Sequence, residues 1–394
     1  MTRQLGIEEF LVMFQILGSE TIGMIGLLQG EASMNESGNA APPAKPFDML
    51  ALLALFAREH QISLSAPQLL DQFMADARPR LEAALADDAL IHGSRTERLF
   101  EATLKSFGRY RLLKSEDGGR VHGITKLRAP DFRVVLEDGD QWLIEVKNVR
   151  ASGRFTQRAK MTKAYLESLE DYAKLVGTEL KLAIFWSGWE IWTVVSPARF
   201  RTRNGGISLA LAEAVRANEF ARLGERIIAT RPPLRLHLDA SPTHTAVLGT
   251  EDIAHFTIGN VRLFSHETEL TDPRDTGFAE VLFRFGDWEI QGPFARMDGD
   301  RLIGVEFIAE PEERQNGDLE GIGWASRIFS RYYAQVTVND GKVVQLYGDA
   351  VPQWFSVLQD WDFESRKLPL MLGVIEPADH AAGEPSLEIP REGL

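Results

Sequence analysis

The chain has 394 residues, 43 Lys and Arg against 57 Asp and Glu, and a formal net charge of −14. Its length suits two or three domains with real apolar cores. With no cysteine at all, disulfides and thiolate zinc sites are excluded and a reducing compartment is expected.

Taken in order, residues 1–30 carry apolar clusters (FLVMF, MIGLL) that suit a helical hairpin, and Glu8 and Glu9 stand where a signal peptide would need positive charge. Residues 31–45 are rich in Ser, Gly, Asn, Ala and Pro and read as a flexible linker closing the first region, 1–45. Two helices are expected over Pro46–His60 and Pro67–Leu85, within a helical region 46–92, with Pro67 suited to a first turn. The stretch SRTERLFEATLKSFG then places Leu99, Phe100, Thr103, Leu104 and Phe107 at helical spacing, with Ser94 as cap and Gly108 as terminator. Glu97 and Glu101 lie four apart, on one side of that helix.

The densest chemistry lies in Pro130 to Lys147, PDFRVVLEDGDQWLIEVK. Two apolar runs flank an Asp-Gly turn, which predicts a β-hairpin. Alternation puts Leu143, Glu145 and Lys147 on one face of the second strand and Trp142, Ile144 and Val146 on the other. Register decides whether Asp131 joins them. A two-residue Asp138-Gly139 turn would set Asp131 opposite Val146, on the wrong face. A three-residue loop from Asp138 to Asp140 sets it opposite Lys147 and is expected, because it brings the three polar side chains together. Two carboxylates can hold Mg²⁺, with water and substrate phosphate completing the shell, and the backbone carbonyl of Val146 is a further candidate ligand. Such an ion lowers the pKa of bound water, and Lys147 would offset charge developing at phosphorus.

Downstream, Thr156 to Val176 predicts a long amphipathic helix whose first turns hold Gln157, Lys160 and Lys163. LKLAIFW (180–186) and EIWTVV (190–195) predict a strand pair turning at Ser187-Gly188-Trp189. Residues 204–233 are expected to be a helical connector, with its helical stretch over 207–230 and a Pro232-Pro233 break. From 234 to 376 the runs HFTIGNVRLF, EVLFRFGDWEI, RLIGVEFIAE and YAQVTVNDGKVVQLYG predict an acidic β-rich domain, and 377–394 a disordered tail.

Charge is divided unevenly. Residues 95–203 hold 21 basic and 14 acidic residues, whereas the chain from 234 onward holds 13 and 28. Basic charge thus collects on the segment with the hairpin, as phosphate binding requires, and Arg150, Arg154, Arg158 and Lys160 follow its second strand closely. Trp288, Trp324, Trp354 and Trp361 in the acidic half are offered either to core packing or to a protein partner or self-association.

PD, thirteen residues, then EVK resembles the PD-(D/E)XK nuclease superfamily, the likeness covering about residues 93–195 within an expected domain over 93–203. The resemblance implies an α/β fold with a restriction-endonuclease-like α-β-β-β-α-β core, following an N-terminal helical region and followed by the β-rich domain. It implies that Asp131 and Glu145 hold Mg²⁺, with Mn²⁺ able to substitute, and that Lys147 assists catalysis. In such nucleases the first core helix often adds a carboxylate, here Glu97 or Glu101, and the helix after the lysine motif a Gln or Lys, here Gln157 or Lys160. The implied function is phosphodiester hydrolysis, of DNA first and RNA second, as in defence against foreign DNA; the lack of cysteine, of a long apolar run and of a basic N-terminus predicts a cytoplasmic protein. A non-cleaving nucleic-acid-binding subunit and a regulatory protein-interaction component are the alternatives.

Other motifs are absent. No run of about eighteen apolar residues suits a membrane span, and no phosphate loop or paired histidine spacing appears. Ser265-His266-Glu267 is a sequence neighbourhood, not a triad.

Overall fold

A computed structural model describes residues 46–377, apart from 117–120, 122, 124–125, 151–152, 154–155, 245, 249–253, 316, 349–353, 356–357, 359–362 and 364–365. The expected N-terminal hairpin and linker (1–45), Arg154, Trp361 and all but the first residue of the expected tail lie outside these residues. Two compact units divide between Ser94 and Arg95. In the first, α1 (Pro46–Glu59) and α2 (Leu69–Ala86) share a small core of Phe56, Ala57 and Leu69. Pro67 precedes α2 rather than opening it.

Helix α3 spans Asp88–Phe107, seven residues longer at its start than Ser94 as a cap would allow. The carboxylate of Asp87 accepts the amides of Ala89 (3.0 Å) and Leu90 (3.1 Å), which caps the helix earlier. Gly108 ends it at φ 68°, as expected.

The larger unit opens with a five-stranded mixed sheet: β1 (Leu112–Ser115), β2 (Phe132–Val135), β3 (Gln141–Val149), β5 (Glu179–Trp186) and β6 (Ile191–Val195), in the order β1-β2-β3-β5-β6. Strands β3 and β5 are parallel and the other pairs antiparallel. A parallel pair needs a crossover, which helix α4 (Lys163–Leu175) supplies. One sheet face (Phe132, Trp142, Ile144, Val146, Trp192) packs on Leu99, Phe100, Leu104 and Phe107 of α3. The other (Leu143, Leu182, Ile184) packs on Leu166, Leu169 and Ala173 of α4.

Three segments differ from expectation. Helix α4 begins at Lys163, capped by Thr162, because Arg158–Met161 forms strand β4 paired with β7 (Ile207–Ala210). The expected helical stretch 207–230 is β7, a short helix α5 (Leu211–Arg216), a 3-10 turn (Phe220–Leu223) and β8 (Ile227–Thr230). Helices α6 (Pro273–Phe285) and α7 (Ala325–Thr337) occupy much of two runs read as strands, EVLFRF and YAQVT. The Asp340-Gly341 turn still forms, between Val338–Asn339 and Lys342–Val343.

The acidic half contributes a second five-stranded antiparallel sheet, ordered Thr268–Leu270, Ile258–Ser265, Leu234–Ala240, Arg301–Glu310 and Glu289–Asp298. One apolar cluster runs without interruption from Phe100 and Phe132 to Phe278, Phe329 and Leu370. The expected division between 93–203 and 234–376 is therefore not a break in the core. Of the tryptophans, Trp288 is buried with its indole N–H on the Gly321 carbonyl (2.8 Å), and Trp354 packs 4.9 Å from Tyr332.

Candidate metal and phosphate site

The hairpin sets the site. Leu136 accepts the Gly139 amide at 3.1 Å and donates to Asp140 at 2.8 Å, so the loop is Glu137-Asp138-Gly139, with Gly139 at φ 99°. A three-residue loop with a left-handed last residue is a standard hairpin solution, and glycine enters that conformation without steric penalty. Phe132 pairs with Ile144, so the next position outward places Asp131 opposite Glu145. This corrects the expected Asp131–Lys147 register: the loop lies one residue earlier, and two residues of slip leave the facing unchanged.

Asp131, Glu145 and Lys147 consequently share the sheet face toward α4. Asp131 Oδ2 accepts the Val146 amide at 2.6 Å. Lys147 Nζ donates to Glu145 Oε1 at 2.6 Å and to the Tyr165 hydroxyl at 3.0 Å, and Tyr165 donates to the same Glu145 oxygen. Glu145 is 2% exposed. Burial, the Glu145 carboxylate and then Glu97 push Asp131 up to about 8, against the opposing pull of the Val146 amide and Lys147. Burial alone would lower Lys147, but Glu145 and the two hydrogen bonds outweigh it and hold the ammonium above its ordinary range. Burial and Glu145 likewise raise Tyr165.

The donor set fits a small divalent cation. Both bonds to Glu145 fall on Oε1, and among the described residues Asp131 accepts only the Val146 amide, so each carboxylate keeps an oxygen for a ligand. Burial first and the neighbouring Glu145 carboxylate second disfavour the charged form of Asp131, and a bound cation would offset both. The Val146 carbonyl points to the same strand edge as its amide, toward Asp131. Among the described residues no three His, Asp or Glu side chains form a ready cage. Water and substrate oxygens would complete the shell, as Mg²⁺ commonly requires.

The remaining candidates separate. Glu97 is close enough to raise Asp131, whereas Glu101 is engaged by Arg98 (3.2 Å) and Lys105 (2.6 Å). Gln157 is buried at the far end of β3, its amide donating to the Val149 carbonyl at 3.2 Å and packed so closely that a Cβ on Gly188 would lie 2.9 Å away. Arg150 and Lys160 are exposed, and Lys160 lies on β4 rather than a helix. Arg158 is tied to β7 through Ser208, at 3.1 and 3.3 Å.

Tyr165 was not foreseen. Its position in the first turn of α4 follows from Thr162 as N-cap, a signal present in the sequence but masked by an expected helix start at Thr156, seven residues early. Arg128 and Asn148 were also missed. The Arg128 guanidinium lies 4.5 Å from the Tyr165 ring centre, and Asn148 bonds Thr96 of α3 at 2.9 Å.

No protein-family model matches the chain, and no curated protein matches it. Among solved structures it is similar to Hjc, a Holliday junction resolvase from the archaeal hyperthermophile Archaeoglobus fulgidus, at 16% identity over 32% of this chain and 88% of that one, with a TM-score of 0.21.

Proposed function

We propose that this chain is a metal-dependent nuclease of the PD-(D/E)XK type, built on a restriction-endonuclease-like core and hydrolysing phosphodiester bonds in DNA. The observation that carries the reading is the convergence of Asp131, Glu145 and Lys147 on one face of a hairpin, with the Asp131 carboxyl raised to about 8 by burial and by Glu145.

Asp131, Glu145 and the Val146 carbonyl would hold Mg²⁺ or Mn²⁺. The ion would polarise the phosphate and supply hydroxide near neutral pH. Lys147, kept protonated, faces the substrate side as a point charge against negative charge building on the phosphate oxygens. Tyr165 fixes the Glu145–Lys147 pair in one arrangement, which preorganises both. The excess of basic residues over 95–203 supports a nucleic-acid substrate. Defence against foreign DNA is the setting we propose for a nuclease core joined to a large acidic region.

The test is cleavage of plasmid, single-stranded DNA and RNA with Mg²⁺ or Mn²⁺ by the full chain, Asp131→Asn and Lys147→Ala. Each substitution is expected to lower the rate by about 10²–10³-fold. Undiminished cutting by both variants would remove the site from the reaction.

A further inference from the structure

Arg128 stands three residues before Asp131 and is exposed. Its amide donates to the Ser168 carbonyl of α4 at 3.1 Å, which anchors the loop, and its guanidinium lies over the Tyr165 ring. The same ring has Lys147 Nζ 4.8 Å from its centre, and its hydroxyl donates to Glu145.

Neighbouring cations are occupied differently. Arg133 is held by Glu116 at 2.9 Å, Lys147 by Glu145 at 2.6 Å and Lys163 by Glu167 at 3.6 Å. Among the described residues no carboxylate pairs with Arg128; an aromatic face holds it instead. Stacking restrains the guanidinium while leaving its N–H edges available, and that planar fork matches two phosphate oxygens. A ring-stacked surface arginine with no further role is the plain alternative. Against it stands the ring's other duty, since Tyr165 is bonded to both Glu145 and Lys147.

We propose that Arg128 grips a backbone phosphate of the substrate strand beside the candidate site, held for that task by Tyr165. The inference rests on the nuclease reading and adds a binding residue to it. Tyr165 then has two separable parts: a ring that positions Arg128, and a hydroxyl that positions Glu145 and Lys147.

The experiment is fluorescence anisotropy of a labelled DNA duplex and its single strand with the full chain in EDTA, so that nothing is cut, over a range of salt. Arg128→Ala should weaken binding about tenfold and reduce the slope of log affinity on log salt by about 0.9 for duplex or 0.7 for single strand, one phosphate contact. Tyr165→Ala should reduce the slope in the same way, whereas Tyr165→Phe should leave affinity and slope unchanged and lower only the cleavage rate with Mg²⁺. Circular dichroism checks that each variant is folded. Wild-type affinity and slope in Arg128→Ala, from a protein that still cuts plasmid, would overturn this inference alone. A wild-type chain that neither binds nor cuts would instead overturn the nuclease reading beneath it.

Discussion

The Val146 amide reaches across the hairpin to the Asp131 carboxylate at 2.6 Å, tying the acid to the strand that bears Glu145 and Lys147. That bond stabilises the charged form of Asp131, yet burial and Glu145 together prevail and raise its pKa to about 8.

A pH dependence of folding follows. Between about 4, where an unfolded Asp titrates, and about 8, the native chain holds a proton that the unfolded chain has released. Stability therefore falls as pH rises through that window, and this group's contribution is fully present only below it. Thermal unfolding of the metal-free protein should show a lower Tm at pH 8 than at pH 5. Asp131→Asn should flatten that dependence and be more stable than wild type at pH 8 while losing cleavage. Mg²⁺ should raise the wild-type Tm at pH 8 and leave the variant nearly unmoved.

The two glutamates of α3 should behave differently. Glu97 acts on Asp131, so Glu97→Ala should weaken Mg²⁺ dependence and slow cleavage. Glu101 is committed to Arg98 and Lys105, partly exposed pairs within one helix. Its alanine variant should cut at close to the wild-type rate and lose less than about 1 kcal/mol of stability. Metal titrations of the cleavage rate separate the two, and equal losses would contradict the assignment.

Gln157 reads as a brace for the end of β3. Gln157→Ala should destabilise by about 1–3 kcal/mol, since it removes a buried bond to the Val149 carbonyl. Mg²⁺-supported kcat of the folded fraction should stay near wild type. Urea unfolding and single-turnover cleavage measured together would expose a chemical role if the rate fell while stability held.

Lys181 is 2% exposed on β5 and lies between Glu219 (2.6 Å) and Glu179 (2.7 Å), over the Trp142 ring at 4.7 Å. Lys181→Met leaves the poorly exposed Glu219 without its cation and should lose about 3–5 kcal/mol. Adding Glu219→Gln should recover part of that loss in urea denaturation.

The hairpin and the facing of its polar residues were legible because the Asp-Gly turn and strict alternation are local signals. Register was not, since Gly139 can end a three-residue loop that starts at Glu137 as readily as other loops suit the same letters. The start of α4 is not legible for a different reason. Arg158–Met161 is a strand only because Ile207–Ala210 lies beside it, some fifty residues away in sequence. That displaced Gln157 and Lys160 from the expected helix and hid Tyr165. The start of α6, by contrast, carries local signals: Asp272 caps through its side chain to Arg274, and Pro273 follows at the first helical position.

Phe107, at the end of α3, meets the edge of Phe355 at 5.9 Å, and the Phe355 amide donates to the Ser106 carbonyl at 2.8 Å. The helix that backs the candidate hairpin is thus itself propped by a residue about two hundred and fifty positions onward. A minimal chain trimmed after β6 would lose the floor beneath the hairpin that carries Asp131, Glu145 and Lys147: the acidic half is foundation as much as appendage.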